Sequence, residues 1–378
     1  MTNSTLPLEW TVTVLKRLDI VRLLVRPVAE VDVERAGERP VNDGGTTNTT
    51  KERPEPRTDA EAGPAGMRAV RDIATRYGLV AVWIVMIVSF TILAPGRFLV
   101  AQNIGNIFGS QAVLLILALG LMFPVIAGEW DLSVGAMLGL SLTVVGFFNA
   151  VLDLPIWVAI LVALVIGLVV GLLNAFFIVI AGVPSLIATL GMATLLGGVT
   201  YAISNSTISG LDQGFVDLGQ HSVLAIPTPF YVAIAMALIA WYVLRWTPGG
   251  RYLFFVGSNR DVARLSGIRV GRVRVTALVV SGVVSAFAGV VLAASLGASG
   301  PTIGAPYLLP AFAAIFLGAT AVTPGRLNVW GTVIAVYFLI TGVTGMQLLG
   351  APSWVQDVFY GAILLAAVAL SLLARRRR

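Results

Sequence analysis

"IWVAILVALVIGLVVGLLNAFFIVIA", residues 156–181, carries no charged side chain. A helix of about 20 such residues crosses the hydrocarbon of a bilayer. Within lipid every backbone N–H and C=O has to be bonded inside the protein, which leaves only helices and closed barrels. Because the run is continuously apolar and does not alternate, it reads as a transmembrane helix and not as a barrel strand. The whole chain has the same character. Of its 378 residues 57% are hydrophobic and 12% charged, with a mean hydropathy of +0.90, whereas soluble domains carry about 25% charged residues.

Outward from this run, ten apolar stretches are expected to cross the membrane, at 79–95, 104–127, 132–151, 156–181, 184–204, 229–246, 273–296, 309–322, 328–348 and 356–374. The fold class is therefore all-α, a polytopic integral membrane protein with about ten transmembrane helices (8–10). The eighth run is short and rich in Gly and Ala, and the second and third flank "AGEWDLSVG", so broken or re-entrant helices are an option at both places. Gly135/Gly139 and Gly167/Gly171 stand four apart, the spacing that lets helix backbones approach in lipid. Residues 1–66, rich in Gly, Pro, Thr and acids, read as a disordered polar extension, dispensable for insertion, and 67–378 as the transmembrane domain. Within the extension, residues 8–31 have the pattern of a short amphipathic helix lying on a membrane surface. No cleavable signal peptide is recognisable.

Charge sets the topology. All thirteen basic residues after Tyr77 are arginines. With the N terminus inside, twelve of those thirteen fall on the cytoplasmic side and only Arg97 falls outside, as cytoplasmic loops prefer. Both termini are then cytoplasmic, in a multi-pass protein of the inner membrane.

Several chemistries are excluded. The chain has no cysteine, a single histidine and no lysine after Lys51, which removes thiolate chemistry, a histidine-based metal site and a phosphate-cradling G-x-x-x-x-G-K-[ST] loop. No nucleophile–base or metal constellation is present, so the chain reads as a non-enzyme with no cofactor of its own. The net charge of +6 is explained by topology and calls for no nucleic acid. The only acids near membrane depth are Glu129 and Asp131. They serve either as a titrating pair in an ion-coupled secondary transporter or channel, or as structural residues, with Asp131 capping the helix that starts at Leu132; the second reading is preferred.

"GSNRDVARLSGIRVGRVRV" (257–275) is a charged island between apolar runs. Ser258 suits an N-cap, Asp261 a first turn, Val262 and Leu265 share a face, and Gly267 suits a helix end. A helix of about two turns is expected, with Arg260 and Arg264 on its polar face and Arg274, nearer the lipid, mainly reporting orientation. A plain basic loop needs neither caps nor an apolar pair, so docking into a groove of a cytoplasmic partner is the better reading.

"AGEWDLSVGAMLGL" (127–140), "VPSLIATLGMATLLGG" (183–198), "TPGGRYLFFVGSNRDVARLSGIRV" (247–270) and "LGATAVTPGRLNVWGT" (317–332) follow one another along the chain. In sequence and order these motifs resemble the membrane permease subunits of ribose/xylose-type ATP-binding-cassette (ABC) importers. The sequence departs from that pattern at "YLLPAFAA" (307–314), where an acidic "YELDAIAA" is common, and at "AVTPGRLN" (321–328), where "SLSGGRGS" is common.

The resemblance implies a sugar or related polar solute, handed over by an extracytoplasmic binding protein to a dimer of this chain with itself or a paralogue, embedded in lipid. ATP and Mg belong to a separate ATPase subunit. The cytoplasmic coupling loop is 247–272, and Ser258, Asn259, Asp261, Val262, Arg264, Leu265, Ser266 and Gly267 contact the ATPase. Glu129, Asp131, Ser133 and Gly135 form the structural motif. For the translocation path, polar groups on or near spans are the candidates: Asn174, Thr189, Thr194, Ser204 and Asn205.

Overall fold

The computed structural model describes residues 65–376 and is almost wholly helical. The expected disordered extension and its surface helix lie outside the described residues, except that a helix already begins at Ala65. The first crossing is α1 (Ala65–Leu93), whose apolar part is Tyr77–Leu93. The second is made of α2 (Ala101–Ser110) and α3 (Ala112–Ile126), interrupted at Gln111. α4 (Val134–Gly146) and α5 (Ile156–Ala175) each run on into a π-helical turn, Phe147–Val151 and Phe176–Ile180. α6 (Ser185–Ile203) follows. Then come β1 (Ile208–Ser209), α7 (Gln213–Gln220) and a hairpin of β2 (Ser222–Val223) and β3 (Ile226–Pro227).

The second half begins with α8 (Thr228–Trp246) and two short helices, α9 (Pro248–Ser258) and α10 (Arg260–Leu265). It continues through α11 (Val270–Leu296), β4 (Ala298–Ser299), α12 (Leu308–Gly318), α13 (Val329–Leu348) and α14 (Trp354–Arg376). Among the described residues seven helical runs are long and apolar enough to cross a bilayer, and Tyr77–Leu93, Ala305–Gly318 and Trp354–Ala369 are apolar but shorter. These correspond one for one to the ten stretches expected.

The eighth stretch does not span as a straight helix. α12 has 11 residues and rises about 16 Å, roughly half of the hydrocarbon. It stops at Gly318, whose carbonyl accepts from Asn328 Nδ2 at 3.1 Å. The chain then turns back through Val322 and Gly325, both at positive φ. Asn328 also caps α13, its Oδ1 accepting from Gly331 N at 2.7 Å.

α11 is the central helix, packed on α5, α3 and α4. Glycine makes that approach possible: a side chain on Gly282 would overlap the Gly167 carbonyl and stand 3.0 Å from the Cα of Gly171. Gly139 meets Gly304 in the same way. Gly282→Leu is expected to cost at least about 1–3 kcal/mol through overpacking, read as a lowered melting temperature of the detergent-solubilised protein.

The loops gather at two ends. At one, Asn149 Oδ1 accepts from Asp212 N at 2.7 Å and β1 pairs antiparallel with β4, Ile208 opposite Ser299. At the other lie the 127–133 turn, the α8–α11 connection and the 319–328 turn, with the Arg326 guanidinium 5.3 Å from the centre of the Phe254 ring of α9. This second end is the basic one.

Candidate functional site

The basic end is organised by two local capping events. Thr247 Oγ1 accepts from Gly250 N at 3.3 Å and starts α9, which continues through Ser258. Asn259 then swings to an extended conformation, φ −157° and ψ 113°, and its Oδ1 accepts from Asp261 N and Val262 N at 3.0 and 3.1 Å. The cap of α10 is thus Asn259 and not Ser258, because an amide oxygen one residue later reaches two orphan N–H groups at once. Gly267, at φ +79°, ends the turn as expected, its N–H donating to Arg264 O at 3.0 Å.

α10 has six residues, fewer than the two turns expected. Ala263 is buried against Val256 and Val270 and holds it to the body of the protein. Val262 and Leu265 face outward, 47% and 89% exposed. Arg264 and Asp261 form an exposed pair at 4.0 Å, which contributes little. Ser266 is also exposed, its Oγ donating back to Val262 O.

Arg260 is not on an outer polar face with Arg264. It turns inward, donating from Nη2 to Glu129 Oε1 at 2.7 Å and to Gly128 O at 3.0 Å. Arg274 joins it: its Nε donates to the same carboxylate oxygen at 2.5 Å, and its side chain is only 17% exposed. The expectation that Arg274 mainly reports orientation is corrected, since it also pairs with a buried carboxylate. A carboxylate that is 4% exposed cannot be left unpaired inside a protein, and Arg274, one turn into α11, supplies the fixed partner.

The turn that carries Glu129 holds four further elements. Asp131 Oδ1 accepts from Ser133 N and Oγ at 3.0 and 2.6 Å, and Oδ2 accepts from Ser281 Oγ of α11 at 2.7 Å. α4 begins at Val134 and not at Leu132, and Ser133 holds its N-cap position, so the expected capping by Asp131 is corrected: its carboxylate binds Ser133 in the preceding turn and Ser281 of α11. Burial raises its carboxyl above the ordinary value, and the bonds from Ser133 and Ser281 oppose that rise. Asn174 Nδ2 of α5 donates to Ser133 Oγ at 2.9 Å. From α6, Ser185 Oγ accepts from Trp130 N and Thr189 Oγ1 accepts from Leu132 N, each at 3.1 Å. The Trp130 ring lies 5.7 Å from both Phe312 and Phe316 of α12. Gly135 packs on Leu308 and the Gly304 carbonyl.

The path candidates separate into two groups. Asn174 and Thr189 are buried members of this network. Thr194 lies on an exposed side of α6, Ser204 bonds Ser206 O at its end and Asn205 is exposed beside it. Glu129 and Asp131 take separate partners and do not bond each other. The Arg260–Glu129 pair thus joins α10 to a turn that contacts α5, α6, α11 and α12.

A family model described as "Branched-chain amino acid transport system / permease component" matches residues 103–368. The chain is 38% identical over 290 residues to the ribose import permease protein of Bacillus subtilis, covering 76% of this chain and 89% of that one. It is 31% identical over 303 residues to the D-allose transport system permease protein of Escherichia coli, covering 79% and 92%. With the autoinducer 2 import system permease protein of Yersinia enterocolitica it shares 30% identity over 261 residues, covering 67% and 78%. No solved structure matches the chain.

Proposed function

The chain belongs to the branched-chain amino acid transport system permease family, a family of transport subunits, and we propose that it is the membrane permease of an ABC importer for a ribose-type sugar or a related polar small molecule. Ribose, allose and autoinducer 2 appear in the names of the relatives, and the hydrogen-bonding groups near α6 suit such solutes. An extracytoplasmic binding protein delivers the solute, and a separate ATPase, carrying ATP and Mg, docks from the cytoplasm on α10. On this reading the basic end faces the cytoplasm, as the preference of cytoplasmic loops for arginine suggests.

The carrying observation is the Arg260–Glu129 pair. It ties the outward apolar face of α10 to the turn that grips four other helices. Displacement of α10 is thereby passed to Trp130 and α12 and to the start of α6. A second copy, or a paralogue, completes the path against α6, where Gly191, Gly197 and Gly198 have open space at their Cβ positions and Leu190, Leu195 and Val199 are exposed. Small residues of this kind let helices approach closely in lipid. Thr194 then faces the shared path, with Ser204 and Asn205 at its outer mouth.

In liposomes containing the permease and its ATPase, uptake of sugar from the loaded binding protein is expected to require ATP and to be unchanged when a protonophore collapses the proton gradient. Uptake that proceeds without the ATPase and stops with the protonophore makes the chain an ion-coupled transporter and defeats the proposal.

A further inference from the structure

We propose that the cleft between α9 and the start of α11 binds the phosphate of an anionic phospholipid. The cleft is an open depression of about 670 Å³, lined by Arg251, Tyr252 and Phe255 of α9 and by residues 266–269, Arg272 and Val273 of the turn and the start of α11. Three arginines line it and no acid does. Among the described residues none of the three arginines has an ion-pair partner. Like charges gathered in one concavity repel each other and raise the local concentration of anions. The rigid N–H fork of arginine matches phosphate oxygens in pairs.

The depth of the cleft selects a lipid over a soluble anion. α8 leaves its apolar run at Trp246 and α11 enters its own at Val270, so both walls stand where the chain crosses the membrane surface. On α9, Leu253 and Val256 are buried, while Tyr252 and Phe255, three apart, are 45% and 42% exposed. Exposed rings beside arginines at this level suit the boundary between headgroups and acyl chains. A free phosphate uses the charges and leaves the rings in water. Val262 and Leu265 do not line the cleft, but Ser266 and Gly267, at the end of the expected ATPase-contacting segment, do, and Ile268 and Arg269 belong to the turn joining α10 to α11. A bound lipid therefore braces the base of the coupling helix.

The test is native mass spectrometry of the full-length permease titrated with phosphatidylglycerol or phosphatidylcholine. Each basic residue near an anionic surface is worth about 1 kcal/mol, or about fivefold in affinity. Arg251→Gln combined with Arg272→Gln is expected to weaken phosphatidylglycerol binding about thirtyfold and to leave phosphatidylcholine binding unchanged, which also reports an intact fold. Arg97→Gln, between α1 and α2, is expected to leave both unchanged. Equal phosphatidylglycerol binding by the wild type and the double variant overturns the proposal. So does inorganic phosphate binding that depends on the two arginines while the lipid's does not, since the cleft then takes a soluble anion. Loss of co-purification with the ATPase at unchanged lipid binding assigns the cleft to the ATPase interface and overturns it as well.

Discussion

Leu265→Asp is expected to abolish co-purification with the ATPase and ATP hydrolysis stimulated by the loaded binding protein, while insertion of the permease stays normal. Leu265 is 89% exposed and makes no part of the core, so the substitution costs the free permease almost nothing. Its side chain stands on the one helix that is capped at Asn259, ended at Gly267 and held from behind by Ala263. Burying a leucine in a partner's groove stabilises a complex by roughly 1.5–3 kcal/mol. An aspartate in the same groove forfeits that and adds the desolvation of an unpaired charge, several kcal/mol more. Together these exceed about 3 kcal/mol, over a hundredfold in affinity. Val262→Ala removes less area from a half-exposed position and is expected to weaken the complex without abolishing it. A Leu265→Asp permease that still co-purifies and still stimulates hydrolysis would mean that α10 is only a topology signal.

The membrane fold was legible because the solvent imposes it. An uncharged run such as 156–181 has one stable state in lipid, and the arginines fix which ends go together. The break after Gly318 was legible only as shortness and glycine content. The bond from Asn328 that ends α12 comes from ten residues downstream and leaves no periodic trace. β1 and β4 are two residues each, too short for alternation to show. At the site, Gly267 was readable because a positive φ favours one residue type. The cap was misplaced by one residue because Ser258 and Asn259 are both good caps, and only the length of α9 decides between them. Arg274 was missed for a different reason. Arginines at the cytoplasmic end of a span are common for topology alone, and nothing local tells which one turns inward to a carboxylate 145 residues away. A buried acid in "GEWD" was the available hint, since such an acid demands a cation.

Glu129→Gln is expected to show a different pattern from Leu265→Asp: assembly with the ATPase survives and transport per ATP hydrolysed falls. The outward face of α10 is untouched by the change, so the docking surface remains. Inside, two guanidinium groups now converge on a neutral amide. Removing one partner of a buried ion pair costs about 3–5 kcal/mol. Arg260, 40% exposed, can relieve part of this by turning to water, whereas Arg274, 17% exposed, cannot. The joint therefore opens at Arg260, and α10 loses its hold on the turn that carries Trp130. Coupling between distant sites is typically worth 1–3 kcal/mol, so uptake per ATP hydrolysed should fall about 5- to 150-fold. Arg260→Gln breaks the same joint at its more exposed side and guards against misfolding as the cause. Arg260→Lys keeps the charge and enough donors but on a shorter side chain, and is expected between wild type and Arg260→Gln. The measurement is the ratio of sugar imported to ATP hydrolysed in liposomes, for wild type and the three variants. If Glu129→Gln and Arg260→Gln both keep the wild-type ratio, the ion pair is an anchor without a part in coupling, and force reaches the path by another route.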